Sequence, residues 1–262
     1  MGTYTLWMYK VMEDKNSMLY WWPKVKDLSI PQPKTIMLKV DPKMAYEVED
    51  GGKYPQMDEF KEAVTILGLP VFIRTDQLSG KHEWSKTCFL NSYAEKDLQQ
   101  HIWALTDATL GCDVMGRPVN AFAFREYIPM ASKYTAFFGQ MPVNPERRYF
   151  IENGKVLCHH PYWIKEAIVN PSVKNWSKLS DKMNEETTGE IVLLMGYALR
   201  VADVMNGFWS VDFCKARDGR WILIDMALGE SSWHPEECQN NRTVEIDYMK
   251  MFAEKLARVS NA

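Results

Sequence analysis

Apolar residues recur along this chain with two periods, and the switches between them mark out its elements. Short runs rich in β-branched and aromatic residues, YTLWMYKV, TIMLKVD, VFIRT, TCFLN and VNAFAFREYI, read as strands. MDEFKEAVTILG (57 to 68) has helical spacing and stops at Gly68, a residue that closes helices well. Ser92 and Glu95 carry the spacing of a capping box, which predicts a helix through AEKDLQQHIWALTDA. Residues 185 to 206 place Ile191, Leu194, Met195, Ala198, Ala202 and Met205 on one helical stripe, and VEIDYMKMFAEKLARV forms a closing amphipathic helix. Two hairpins complete the pattern: RRYFIENGKVLCHH turns at Asn153-Gly154, and WSVDFCKARDGRWILIDMALGE turns at Asp218-Gly219. Strand pairs followed by single helices, with hairpins throughout, predict an α+β fold with mainly antiparallel sheet.

Composition narrows the class. The chain has 262 residues, 46% of them hydrophobic, enough for one large domain or two small ones. A net charge of −3 exerts no general pull on nucleic acid or anionic membrane. The 5 cysteines are scattered without a CxxC, which suits thiols in a reducing compartment better than a disulfide framework or a zinc site. Charge appears early in MGTYTLWMYKVMEDKNS, unlike a signal peptide, and no apolar run approaches the ~20 residues of a membrane helix. The expectation is a cytoplasmic protein.

The chemistry starts at the second hairpin. A two-residue Asp218-Gly219 loop sets Asp212 opposite Asp225, and like charges on directly opposed positions repel. Alternation puts Trp209, Val211 and Phe213 on one face with Ile224, Met226 and Leu228, leaving both aspartates on the other among small residues. Either the acids point into solvent near Lys215, Arg217 and Arg220, or a divalent cation lies between them with Glu230 as a further ligand.

Arg74 lies inside an apolar strand and needs an anionic partner, either a carboxylate or a phosphate; Lys81 follows beyond a loop with a single glycine. In the other hairpin a two-residue turn opposes Arg147 to His160 and Arg148 to His159. Four groups that can carry positive charge then meet at its open end, with Glu146 nearby. His159 and His160 point to opposite faces, so one at most lines a site.

Together IRTDQLSGKHEW, FREYIP, ERRYFIENGKVL and VDFCKARDGRWILIDMALGE resemble, in this order, the ATP-grasp fold. The spacing is most similar to a divergent branch shared by phage and bacterial proteins and by the eukaryotic cell-division-cycle assembly chaperone for a translation initiation factor. The resemblance implies two α+β subdomains gripping ATP, at 68 to 129 and 130 to 262, after a small N-terminal region at 1 to 67. It makes Arg74 and Lys81 phosphate contacts, and it places Glu126, Tyr127 and Ile128 on the adenine hinge. Arg148, with Arg147 beside it, becomes the catalytic cation, and Asp212 and Asp225 hold Mg²⁺. The family commonly has Asn two residues after the last acid; here that residue is Ala227, which leaves Glu230 as the substitute ligand.

The function so implied is an ATP- and Mg²⁺-dependent carboxylate–amine ligase acting through an acylphosphate on an amino acid, peptide or other small carboxylate. His159, His160 and His234 are candidates for binding that substrate or taking the amine proton. The alternatives are an ATP-binding assembly chaperone with a protein client, a phosphotransferase on the same scaffold, and a domain whose acids and arginines merely pair with each other.

Overall fold

The computed structural model describes residues 14–49, 51–112 and 118–242. The strand expected at YTLWMYKV and the closing helix VEIDYMKMFAEKLARV lie outside them.

Period-2 segments build the first sheet. β1 (Thr35–Lys39), β2 (Val71–Thr75), β3 (Phe89–Leu90) and β4 (Ala121–Glu126) run antiparallel in the order β1-β4-β2-β3. Residues 35–39, read from sequence as part of a small N-terminal region, are thus an edge strand of this sheet. One face, with Val71, Ile73, Phe122 and Phe124, packs on α2 (Met44–Glu49), α3 (Met57–Leu67) and α4 (Glu95–Leu110). Phe60 of α3 is fully buried there, which contributes about 1.5–3 kcal/mol. The expected capping box at α4 does not form: Ala94 is the N-cap, and Ser92 Oγ accepts from the Ala94 amide in a turn just before the helix. Glu95 instead binds Lys53 and Lys61.

The second sheet has the order β10-β9-β7-β8, from β7 (Glu146–Glu152), β8 (Lys155–Pro161), β9 (Phe208–Lys215) and β10 (Trp221–Leu228). Its apolar face, with Tyr149, Val211, Phe213, Leu223 and Met226, buries against α1 (Met18–Val25) and α6 (Thr188–Ala202). A capping box between Thr187 and Glu190 starts α6. A short hairpin of β5 (Tyr134–Ala136) and β6 (Met141–Val143) packs with α5 (Trp176–Asn184) around Trp163. The fold is α+β, with antiparallel sheets. Among the described residues no helix is long and apolar enough to cross a membrane.

Both hairpins depart from the simple register. In β9–β10 the Ala216 amide donates to Arg220 O, enclosing a three-residue loop with Gly219 at φ 91°. That loop slips the ladder by one, and a bulge at Ile224 slips it back, so Asp212 and Asp225 do oppose each other. The bulge also removes Ile224 from the core face and puts Leu223 there instead. In β7–β8 a bulge at Leu157 has no such compensation. Arg148 therefore faces His160, and Tyr149 faces His159.

Candidate active site

Phe72 and Arg74 lie two residues apart on β2 and share the face turned away from the helices. Small Ala123 opposes Arg74, which leaves its guanidinium room to cross between the sheets. Arg74 Nη1 reaches Asp225 Oδ1 at 2.7 Å. Arg125, opposite Phe72, donates from Nη1 to the Ile224 carbonyl at 2.6 Å. Burial and the neighbouring Arg74 push the Arg125 guanidinium down to about 10. Burial would raise the Asp225 carboxyl, but Arg74 outweighs it and holds the group below the usual range.

Across the second sheet, His160, Arg148, Asp212 and Asp225 form one row spanning β8, β7, β9 and β10. Arg148 grips Asp212 with its fork, Nε to Oδ1 and Nη2 to Oδ2 both at 2.8 Å, the bidentate geometry that favours arginine over lysine. The two aspartates are thus not left to repel each other: each is held by an arginine from a different sheet.

Lys81 enters from a short 3-10 turn, Lys81–Glu83. Its Nζ lies 3.6 Å from Glu146 Oε1 and over the rings of Tyr162 (4.2 Å) and Trp163 (4.8 Å). Burial opposes the charge on Lys81, but Glu146 and Tyr162 overcome it and raise its pKa. Burial drives the Glu146 carboxyl up to about 7 against the pull of Lys81, with Asp212 adding to the rise. The loop bearing Lys81 is pinned to the β5–β6 hairpin. Gly139 N donates to His82 O at 3.1 Å, and the His82 ring stacks on Phe137 at 4.3 Å. A Cβ at position 139 would collide with the backbone of His82, Glu83 and Trp84.

Arg74, Arg125, Asp225, Lys81 and Glu146 border a cleft between the sheets with about 950 Å³ of space, part of it open to solvent, while the Arg148–Asp212 pair lies outside its lining. One end is apolar, with Phe72, Trp84, Tyr127, Met130 and Met141. Glu126, Tyr127 and Ile128 line it where the chain passes from the first sheet to the second, and Met130 bridges to Ala216 just beyond. The other end carries Arg74, Lys81, Glu146 and Asp225. Three buried polar atoms on the lining have no hydrogen-bond partner: Arg125 Nε, Asn144 Oδ1 and Glu146 Oε1. Such atoms each cost about 1–3 kcal/mol, so the cleft is built for a ligand with its own polar groups. The lining carries four cations (Arg74, Lys81, Arg125, Arg217) against three carboxylates (Glu126, Glu146, Asp225), an excess that favours an anion.

Several expected site residues lie elsewhere. Arg147 is 1% exposed on the opposite face, with Nε on Glu186 Oε1 at 2.9 Å and Nη2 on the carbonyls of Met183 and Glu185. It neighbours Arg148 in sequence, and strand alternation turns it to the core side. His159 follows it there, stacked on Tyr149 with Nε2 3.1 Å from Glu186 Oε2. Glu230 is exposed, close enough to Arg242 to stabilise its charge, and outside the cleft lining. His160 and His234 meet each other rather than the cleft. Sequence reasoning missed Arg125 and, beside the expected Tyr127, the Phe72 and Trp84 rings of the apolar end. Arg125 in AFAFRE carries the same signal as Arg74, a cation inside an apolar strand.

A divalent cation can be tested against the donors present. Asp212, Asp225 and Glu146 supply hard oxygens, and Glu146 Oε1 has an unused lone-pair site in the cleft wall, a donor set suited to Mg²⁺. The donor chemistry fits the ion, with Asp212 and Asp225 at present engaged by Arg148 and Arg74.

No curated protein matches the chain. Among solved structures, Cdc123 from Schizosaccharomyces pombe superposes with a TM-score of 0.52 at 13% identity, covering 91% of this chain and 90% of that one. Its C-terminally truncated form gives 0.53 at 13%, covering 81% and 83%. The ADP complex of PurK, N5-carboxyaminoimidazole ribonucleotide synthetase, gives 0.50 at 11% over 87% of this chain and 49% of that one. These likenesses establish the fold. The family model for the ATP-grasp domain of the "R-to-K" clade, family 3, matches residues 49–248, and with that span the chain belongs to this ATP-grasp family.

Proposed function

We propose that this protein is an ATP-dependent carboxylate–amine ligase. One observation carries the reading: a cleft, apolar at one end, ends in an array of arginines, a lysine and carboxylates, with Arg125 Nε, Asn144 Oδ1 and Glu146 Oε1 on its wall making no hydrogen bond. The apolar end, with Glu126, Tyr127 and Ile128, takes the adenine. Arg74 and Lys81 hold the phosphates, exchanging their present partners Asp225 and Glu146 for phosphate oxygens. Asp212, Asp225 and Glu146 would hold Mg²⁺, which neutralises phosphate charge when bound. Arg148, released from Asp212, faces the transferred group and stabilises its developing charge.

The acceptor's carboxylate oxygen attacks the γ-phosphorus; an O–P bond forms, the β–γ bridging bond breaks and ADP leaves. An amine then attacks the acyl carbon, and phosphate departs as the amide forms. Both steps depend mainly on positioning and charge. The test is incubation with Mg-ATP and pools of amino acids and small peptides, reading ADP, phosphate and a product of the condensed mass. Nucleotide binding that never leads to ADP with any acceptor would sink the ligase reading.

A second reading is ATP binding coupled to a protein client. It is favoured by the location of His159, His160 and His234, none of which lines the cleft, so that the acceptor end lacks the histidine general base looked for in the sequence. In that case a client, rather than small acceptors, would alter nucleotide affinity, and no condensed product would form.

A further inference from the structure

Beyond Arg148, at the β8 end of the same row, lies a cluster that the nucleotide cleft does not use. Cys158 and His160 are two residues apart on β8 and so share a face. His234 and Cys238 descend on them from the segment after β10. The four candidate ligand atoms, two thiols and two imidazole nitrogens, lie within 4.8 Å of one another. Cys158 Sγ is already 3.3 Å from His234 Nε2. His234 is 2% exposed, its ring stacked on Phe150 at 3.8 Å, and its Nδ1 has no hydrogen-bond partner. His160 Nε2 is likewise buried without one. Both cysteines are free thiols.

We propose that Cys158, His160, His234 and Cys238 form a structural zinc site. Two thiolates and two imidazoles are a donor set that tetrahedral Zn²⁺ favours, and four protein ligands leave no open position, as structural sites require. Zinc–ligand bonds of about 2.0–2.3 Å put tetrahedral ligand atoms roughly 3.3–3.8 Å apart. The present cluster therefore closes by about an ångström when the metal enters and both thiol protons leave to solvent. One metal ion would take both thiols and one nitrogen from each ring, so a single ligand accounts for the gathering of all four groups.

The site has a mechanical role. The ligands tie the segment after β10 to β8, far from it in sequence. Trp233, next to His234, gives its carbonyl to Arg148 Nη1 at 3.3 Å. A filled site therefore holds the peptide that braces Arg148.

The test uses the whole chain. Expressed with zinc and dialysed against metal-free buffer, it is expected to keep about one equivalent of zinc by elemental analysis. Cobalt exchanged in its place is expected to give the intense visible bands and thiolate charge transfer of a tetrahedral sulfur-ligated ion. Cys158→Ser and Cys238→Ser are expected to lose the charge transfer, while Cys88→Ser keeps it. A wild-type chain that binds no zinc, or cobalt with a weak octahedral spectrum, overturns the site whatever the variants do. So does a Cys158–Cys238 disulfide in protein prepared under reducing conditions.

Discussion

Asp212 lies directly across the ladder from Asp225, and the two carboxylates are held by arginines of different sheets, Arg148 for the first and Arg74 for the second. The acidic pair thus joins the halves of the molecule, and nucleotide entry has to compete with these bonds.

Removing Arg148 leaves Asp212, 4% exposed, as a buried charge without a counterion. Arg148→Ala is expected to destabilise by about 3–5 kcal/mol, and Arg148→Ala combined with Asp212→Ala by clearly less, because nothing charged is then stranded. Urea unfolding of both single variants and the double variant gives the coupling; additive losses would count against it.

Asp225→Asn removes a proposed metal ligand. Wild type at one hundred times its dissociation constant for Mg-ATP gains about 2.7 kcal/mol, read as a rise in melting temperature. The variant is expected to show little of that rise. Full Mg-dependent stabilisation in Asp225→Asn would rule out the metal role.

Glu146 gives a pH signature. Its folded pKa, about 7, lies above the ordinary 4.5. The native state holds this proton more tightly than the unfolded chain does. The contribution is therefore complete below about 4.5 and is lost as pH rises through about 7. Relative to Glu146→Gln, wild type should lose stability between those values and change no further above them, as measured by denaturant titration at stepped pH. A stability difference that does not vary with pH would refute this.

Gly139→Ala forces apart the Lys81 loop and the β5–β6 hairpin, because backbone blocks the new methyl group. The expected cost is about 1–3 kcal/mol of stability, with nucleotide affinity reduced in addition because Lys81 moves with its loop. Isothermal titration separates the two: unchanged affinity would mean that this contact does not position Lys81.

Much of this was legible in the sequence, for identifiable reasons. Arg74 was conspicuous as a cation in an apolar strand, and the Asp212–Asp225 opposition followed from turn and alternation. Yet the opposition holds through two irregularities that cancel, a three-residue loop and a bulge at Ile224, neither of which leaves a compositional mark. Arg147 was misplaced because adjacency in sequence is opposition in a strand. The Cys158–His160–His234–Cys238 cluster stayed hidden because its halves come from segments far apart in the chain, with neither half bearing a familiar spacing.

The uncompensated bulge at Leu157 has its own lesson. Lengthening the tip at Asn153-Gly154 leaves the inside and outside of β8 as they are. Leu157 is the extra residue of that bulge, so deleting it leaves Val156 on Ile151 and Cys158 on Phe150 in a regular ladder, with every later side chain on its present face. An insertion between Cys158 and His159, by contrast, would turn the rest of the strand over and make His159 and His160 trade sides. Changes of length should therefore be tolerated at the tip of this hairpin and at Leu157, and excluded from the paired run of Cys158 to His160.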